Sequence, residues 1–252
     1  MEYRDPFAKV STATYGQSQA ATYDMGLRAY MLKIYNYMAS ALALTGITAL
    51  VAANSPAMLS LLYKMTESGQ IAGMTGFGWL VAFAPLGMVL WLSFGLNRMS
   101  TAMAQGVFWA FSAVMGLSLT SIFLMYTGES IARAFFITAG TFGGMSLYGY
   151  TTKRDLTGVG SFLIMGVWGL LIASLVNIFL DSPTVSFAVS VLAVLIFTGL
   201  TAYDTQKLKH MYYEIAGNAE MMAKASIMGA LNLYMDFINI FIHLLRFVGE
   251  RR

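Results

Sequence analysis

Seven long apolar segments dominate the sequence and limit what the chain can fold into. Each is about 20 residues long, the length that a helix needs to cross the hydrocarbon core of a bilayer. The segments are residues 34–53, 77–95, 106–126, 131–150, 158–180, 185–202 and 225–247. An outer-membrane barrel would instead show alternating segments of about ten residues. The sequence therefore predicts an all-α fold, a polytopic bundle of seven transmembrane helices in a lipid bilayer.

Composition excludes several classes of protein. Charged residues make up 11% of the chain and hydrophobic residues 58%, whereas soluble domains carry about 25% charged residues. The absence of cysteine excludes disulfides and cysteine-ligated metals. No HExxH, GxSxG or Walker lysine motif is present, so we expect neither an enzyme nor a resident cofactor. Every lysine lies outside the seven segments, which disfavours a photoreceptor with a Schiff-base lysine.

The basic residues predict how the chain is oriented. Residues 1–25 form a polar N-terminal segment without the pattern of a cleaved signal peptide, and residues 26–252 form the transmembrane domain. Ten of the 15 Lys and Arg residues fall on the side of the N-terminus, which predicts a cytoplasmic N-terminus. The net charge of +3 is thus topological, and we expect no nucleic acid partner.

The basic C-terminal end does not fit this pattern. Seven full spans would place Arg246, Arg251 and Arg252 outside, although positive charge prefers the cytoplasm. Either the last segment is re-entrant or buried, or the rest of the charge bias outweighs these residues.

Two further features concern packing within the membrane. Pro85 lies midway through the second segment and should bend that helix, as a fixed kink or, less simply, as a hinge. Gly140 and Gly144 form a GxxxG pattern in the fourth segment, which predicts close packing against another helix.

The last segment carries a stripe of polar residues. They are Asn232, Asp236, Asn239, His243 and Arg246. At about 100° per residue, spacings of four, three, four and three place them on one helix face. A central aspartate costs about 2.5–3.5 kcal/mol to insert into a bilayer. The stripe therefore should not face lipid, and we expect the last helix to be central, with the stripe facing a structural hydrogen-bond network, a cavity or a pore.

A second acidic residue, Asp204, lies at the end of the sixth segment. Lys207, three residues later, could neutralise it as an ordinary interfacial charge. Alternatively, Asp204 could approach Asp236 across the bundle. Two carboxylates close together in a low dielectric do not both ionise easily, so such a pair would form a pH-sensitive cation site.

Two stretches around these aspartates closely resemble the Bax inhibitor motif family of membrane proteins. They are Gly199-Leu-Thr-Ala-Tyr-Asp-Thr-Gln206 and Leu233-Tyr-Met-Asp-Phe-Ile-Asn-Ile-Phe-Ile-His-Leu-Leu-Arg246. Residues 94–100 and 111–123 are similar to the bacterial branch, and in particular to its proteins that modulate an AAA-type membrane protease. The resemblance covers nearly the whole chain from about residue 26.

The resemblance carries expectations about fold and function. It implies six helices around a central seventh helix in a bacterial inner membrane, and a pH-sensitive calcium leak channel. The gating aspartates of the family match Asp204 and Asp236, which would also be weak calcium ligands. Arg98 is the basic residue nearest the second span and would be the gate partner of the first aspartate. The family's arginine ten residues after the second aspartate matches Arg246.

The resemblance also implies a second role as a regulatory protein that binds a membrane protease. The polar N-terminal segment would then be the part that engages the protease. Both roles could coexist in one protein.

Overall fold

The computed structural model describes the backbone of residues 7–66 and 71–250, and their side chains except those of residues 7–24 and Met65. Within these ranges the chain is almost entirely helical. The helices are α1 (Phe7–Ala53), α2 (Pro56–Leu62), α3 (Gly76–Gly95), α4 (Thr101–Ser118), α5 (Thr120–Met125), α6 (Gly128–Thr151), α7 (Thr157–Leu180), α8 (Pro183–Ile215) and α9 (Ala219–Val248). A 3₁₀ turn, Leu96–Arg98, follows α3.

Six candidate spans in the described chain are long and apolar enough to cross a membrane. They are Met25–Ala53, Gly76–Arg98, Thr101–Met125, Thr157–Leu180, Pro183–Ile215 and Ala219–Val248. The predicted fourth segment corresponds to α6, which has 24 residues and so sufficient length, but it is not among the six. The chain is therefore a helical membrane protein with several spans.

The last helix is the most buried of these candidate spans. In the most apolar 18-residue stretch of α9, 67% is buried inside the protein, compared with at most 33% of the corresponding stretch in the other five helices. It packs against α1, α3, α4, α6 and α8. Its apolar side chains belong to a core cluster that also includes Ile34 of α1 and Phe108 of α4. By contrast, only 6% of the corresponding stretch in α7 is buried.

A short hairpin departs from the all-helical prediction. Strands β1 (Tyr63–Met65) and β2 (Ile71–Met74) pair antiparallel between α2 and α3. Leu62 and Tyr63 pack on Val81 of α3, so the hairpin covers one end of that helix.

Several predicted boundaries need correction. The polar stretch between the sixth and seventh apolar segments, residues 203–224, is not a long loop, because α8 continues to Ile215 and α9 begins at Ala219. Gly217, at a φ of 104°, forms the intervening tight turn. The third segment is not one continuous helix either, because the chain breaks between α4 and α5 at Leu119. The helix α3 runs through Pro85 without interruption.

Close helix packing does not occur at the predicted GxxxG pattern. A Cβ atom added at Gly140 or Gly144 would meet nothing within 4 Å. Gly149, one turn further along α6, instead lies directly against the backbone of Ala202 in α8, where a Cβ atom would overlap the carbonyl oxygen. Gly149 therefore sets the distance between α6 and α8, just before Asp204.

This contact predicts that Gly149→Ala destabilises the protein, because α6 and α8 would have to separate. Overpacking of this kind typically costs about 1–3 kcal/mol. Thermal unfolding of the purified protein in detergent measures the effect. Gly144→Ala is the matched control, since it adds the same methyl group where there is open space. Equal melting temperatures for the two variants would contradict the assignment.

Candidate functional site

The polar stripe of α9 runs from the interior of the bundle to one of its ends. Asp236 is 4% exposed, whereas Asn232, Asn239 and His243 are partly buried and Arg246 is exposed. The residues between them on the other faces, such as Leu233 and Ile240, are fully buried core residues.

Asp236 has unsatisfied hydrogen-bonding capacity. Its Oδ2 atom is buried and accepts no hydrogen bond from any described residue. The neighbouring amide of Asn239 does not supply one: the hydrogen bond that its Nδ2 forms within the described chain goes to the carbonyl of Met235, 2.8 Å away. His243, two turns further along, likewise has a buried Nδ1 atom without a described partner. Buried polar atoms are nearly always paired in native proteins, so such orphaned atoms point to function.

Asp204 lies inside α8, well before the end of that helix, and is partly buried. Its carboxylate lies close enough to Asp236 for the two charges to repel each other. No hydrogen bond joins the two carboxylates in the described structure. Lys207, one turn along α8, is the cation whose charge acts on Asp204. The ammonium of Lys207 also lies 5.9 Å from the ring centre of Tyr203.

The residue after Asp204 connects α8 to two other helices. Thr205 Oγ1 lies 3.0 Å from Ser146 Oγ of α6, and Ser146 Oγ lies 2.5 Å from the hydroxyl of Tyr35 in α1. These three hydroxyls form a hydrogen-bonded chain across α1, α6 and α8. The position of Asp204 is therefore fixed by contacts with the rest of the bundle.

Gln206 holds the connection between α6 and α7. Its Nε2 donates to the carbonyl of Arg154 at 2.8 Å, and its Oε1 accepts from the backbone N–H of Leu156 at 2.8 Å. One turn later, Lys209 Nζ donates to the carbonyl of Tyr150 near the end of α6. The motif that contains Asp204 thus also anchors a loop.

A second tether lies on the face of α9 opposite the polar stripe. The hydroxyl of Tyr234 lies 2.7 Å from Thr45 Oγ1, which donates to the carbonyl of Ser112. Tyr234 is completely buried, and its ring packs edge-on against Phe111. This network joins α1, α4 and α9. In the sequence its only signal is one tyrosine two residues before Asp236, which by itself is typical of an ordinary core residue.

The predicted gate partner forms no ion pair with the aspartates in the described part of the chain. Arg98 is exposed on the 3₁₀ turn after α3 and forms no ion pair with a described acid. Arg246 is also unpaired within the described chain, and its charge acts on His243. The structure therefore brings together Asp204 and Asp236, but neither arginine joins them.

The two carboxylates do not make a complete metal site. The described residues contain no group of three or more His, Asp or Glu side chains that could hold a metal ion. Calcium takes six to eight oxygen ligands in proteins. Two carboxylates together with the amide of Asn239 would fit brief contact with a passing cation better than tight binding.

We predict that Gln206→Ala destabilises the protein by about 1–3 kcal/mol, because it leaves the buried N–H of Leu156 and the partly buried carbonyl of Arg154 unpaired. Thermal unfolding in detergent provides the measurement. Gln105→Ala is the control, because Gln105 is partly buried but forms no hydrogen bond with another described residue. Similar losses in both variants would show that Gln206 does not anchor the loop.

Comparison with known proteins identifies the family. A family model described as inhibitor of apoptosis-promoting Bax1 matches residues 27–252. The uncharacterized protein RP147 of Rickettsia prowazekii is 50% identical over 98% of both chains. The inner membrane protein YbhL of Escherichia coli K12 is 46% identical over 90% of this chain and 94% of its own. With its apolar helices and this inner-membrane relative, the chain belongs to the Bax inhibitor-1 family of multi-pass membrane proteins.

Proposed function

We propose that the protein is a passive leak pathway for calcium across the inner membrane, gated by Asp204 and Asp236. The observation that carries this proposal is the buried carboxylate of Asp236, whose Oδ2 has no partner among the described residues and whose charge is repelled by that of Asp204. An aspartate inside a bilayer is costly, and such residues commonly mark ion or proton pathways.

The proposed architecture is a bundle of seven spans around a central α9. The length of α6 and its packing against α8 and α9 support counting it as the seventh span. The contacts of α9 with five other helices support its central position. The predicted cytoplasmic N-terminus then places the end of α9 on the opposite side of the membrane. The helix is continuous over 30 residues, which disfavours a re-entrant segment.

The polar stripe supports a route for the ion along α9. Asn239 and His243 lie between Asp236 and the exposed Arg246, so polar side chains continue from the buried carboxylate to one end of the bundle. On the other side of Asp236, Asp204 and then the exposed Lys207 lead toward the loops at the opposite end. Carboxylate and amide oxygens are ligands that calcium prefers. In this reading the protein holds no resident cofactor and catalyses no reaction.

The proposed gate responds to pH through the charge of the carboxylate pair. The negative charge of Asp204 repels that of Asp236, and the positive charge of Lys207 attracts that of Asp204. The hydroxyls of Tyr35, Ser146 and Thr205, which bond to one another across α1, α6 and α8, are neutral. A pair that shares one proton carries one negative charge fewer than a doubly ionised pair. It therefore attracts calcium less strongly, and its two carboxylates repel each other less. The change in repulsion shifts the population of the open pathway.

The test is calcium flux into proteoliposomes across a range of pH. We expect Asp236→Asn and Asp204→Asn each to lower the flux and to remove most of its dependence on pH, because the amide does not titrate. Asp155→Asn is the control. Asp155 is exposed in the loop between α6 and α7, and hydrogen bonds from Thr157 hold its pKa below the usual value.

Asp155 therefore stays ionised throughout the tested range, and its variant should keep the wild-type flux and pH profile. Unchanged flux and pH profile in both Asp204→Asn and Asp236→Asn would overturn the gating proposal.

A second candidate function is binding to an AAA-type membrane protease. The helix α1 begins at Phe7, and the polar N-terminal segment precedes the first apolar segment, residues 34–53, in the sequence. Residues 1–6 lie outside the described chain, and so do the side chains of residues 7–24. A polar extension before the first span is suited to contact a protein at the membrane surface.

The extension predicts that the full chain recovers a membrane protease from solubilised bacterial membranes and that a chain without residues 1–23 does not. The measurement is affinity capture followed by identification of the captured protease. A variant with a scrambled sequence in residues 1–23 controls for length. Recovery of no protease by the full chain, or equal recovery by all three chains, would refute this role.

A further inference from the structure

A groove of about 760 Å³ lies where α5 ends, α8 begins and α9 ends. We call it the C-terminal groove. Because it is formed by helix ends, it lies at the depth of the lipid headgroups and not at the bilayer centre. Its volume is within the range of about 300–1,000 Å³ that is typical of binding sites for small molecules. Neither Asp204 nor Asp236 lines it, so it is distinct from the proposed gate.

Two opposite charges line the C-terminal groove without meeting. Asp181 follows α7, and Arg246 lies in the last turn of α9. Both are exposed, and neither forms an ion pair with the other or with any other described residue. An acid and a base that face one groove separately are suited to a ligand that itself carries both charges.

Ser190 of α8 provides an independent indication of a ligand. Its side chain lines the groove although the residue is 2% exposed. Its hydroxyl forms no hydrogen bond with another described residue. A hydroxyl on the wall of a groove that has no partner among the described residues is available to a polar group that enters the groove.

The remaining wall of the groove is apolar. Phe187 of α8 and Phe247 of α9 pack edge to face, with ring centres 5.3 Å apart. With Ile122 of α5 they form an apolar surface beside the two charges. Phenylalanine rings bury large apolar surface, so this wall is suited to contact the first acyl carbons of a lipid.

We propose that the C-terminal groove binds the headgroup of phosphatidylethanolamine. The guanidinium of Arg246 donates two hydrogen bonds to the phosphate, and the ammonium of the lipid donates to the carboxylate of Asp181. The hydroxyl of Ser190 donates to an ester oxygen, and the first acyl carbons lie against the two phenylalanines. A choline headgroup has no N–H donor for Asp181, and a glycerol headgroup has no cation for it.

The test is native mass spectrometry of the full-length protein with phosphatidylethanolamine, phosphatidylglycerol and phosphatidylcholine of equal acyl chains. We expect the wild type to bind phosphatidylethanolamine about five-fold more tightly than the other two, the effect of about 1 kcal/mol for one exposed charge contact. Arg246→Gln should weaken binding of all three lipids. Asp181→Asn should remove the preference for phosphatidylethanolamine over phosphatidylglycerol.

The chain offers matched controls for both charges. Arg133→Gln and Glu129→Gln change an exposed ion pair on α6 outside the groove and should leave lipid binding unchanged. Asp181 has a φ of 44°, a conformation that asparagine adopts readily, so Asp181→Asn should keep the backbone intact.

Three results would overturn the proposal: no lipid preference in the wild type, equal losses in Arg246→Gln and Arg133→Gln, or an unchanged preference in Asp181→Asn. A separate thermal unfolding series with inorganic phosphate distinguishes a lipid from a free anion. We expect phosphatidylethanolamine to raise the melting temperature more than phosphate does. Equal stabilisation by phosphate alone would assign the groove to a free anion and refute the lipid.

Discussion

A carboxylate inside a bilayer has to be surrounded by protein, and in this chain that requirement falls on Asp236. Because Asp236 lies near the middle of α9, the whole helix must be shielded from lipid on that face. The structure meets the requirement by packing α9 against five other helices and by burying Asp236 to 4% exposure. The apolar residues on the other faces of α9 then form the core on which the surrounding helices pack.

The neighbours of the two aspartates position them, and no described residue forms a hydrogen bond with either carboxylate. Thr205 and Gln206 connect α8 to α1, α6 and the following loop. Tyr234 connects α9 to α1 and α4. Both motifs thus combine a carboxylate with adjacent residues that hold its helix in place. A rigid framework around unpaired charged groups is the arrangement that a binding or gating site needs.

The fold could be predicted further from the sequence than the site could. Apolar segments of about 20 residues identify spanning helices because hydrocarbon thickness sets their length. The same criterion failed for residues 203–215, which are too polar to be assigned to a span but continue α8 beyond the apolar segment. It also gave no sign of the break at Leu119, because local backbone geometry is not visible in hydropathy.

Helix contacts illustrate the same limit. The GxxxG pattern at Gly140 and Gly144 is a common packing signal, yet Gly149 makes the close contact with α8. Which glycine faces a neighbour depends on the rotation of α6 in the bundle, and a single sequence does not contain that rotation. The prediction of Arg98 as gate partner met a similar difficulty, because the end of α3 turns this side chain toward the surface.

The sequence by itself determined the class of protein, the family and the helical face that carries the polar residues of α9. These follow from composition, segment length and helical period, which are local properties of the chain. Tertiary structure alone decided that Asp204 approaches Asp236, that Gln206 anchors the loop after α6, and that Asp181 and Arg246 line one groove. Each of these depends on contacts between residues far apart in the sequence, and the packing of whole helices fixes such contacts.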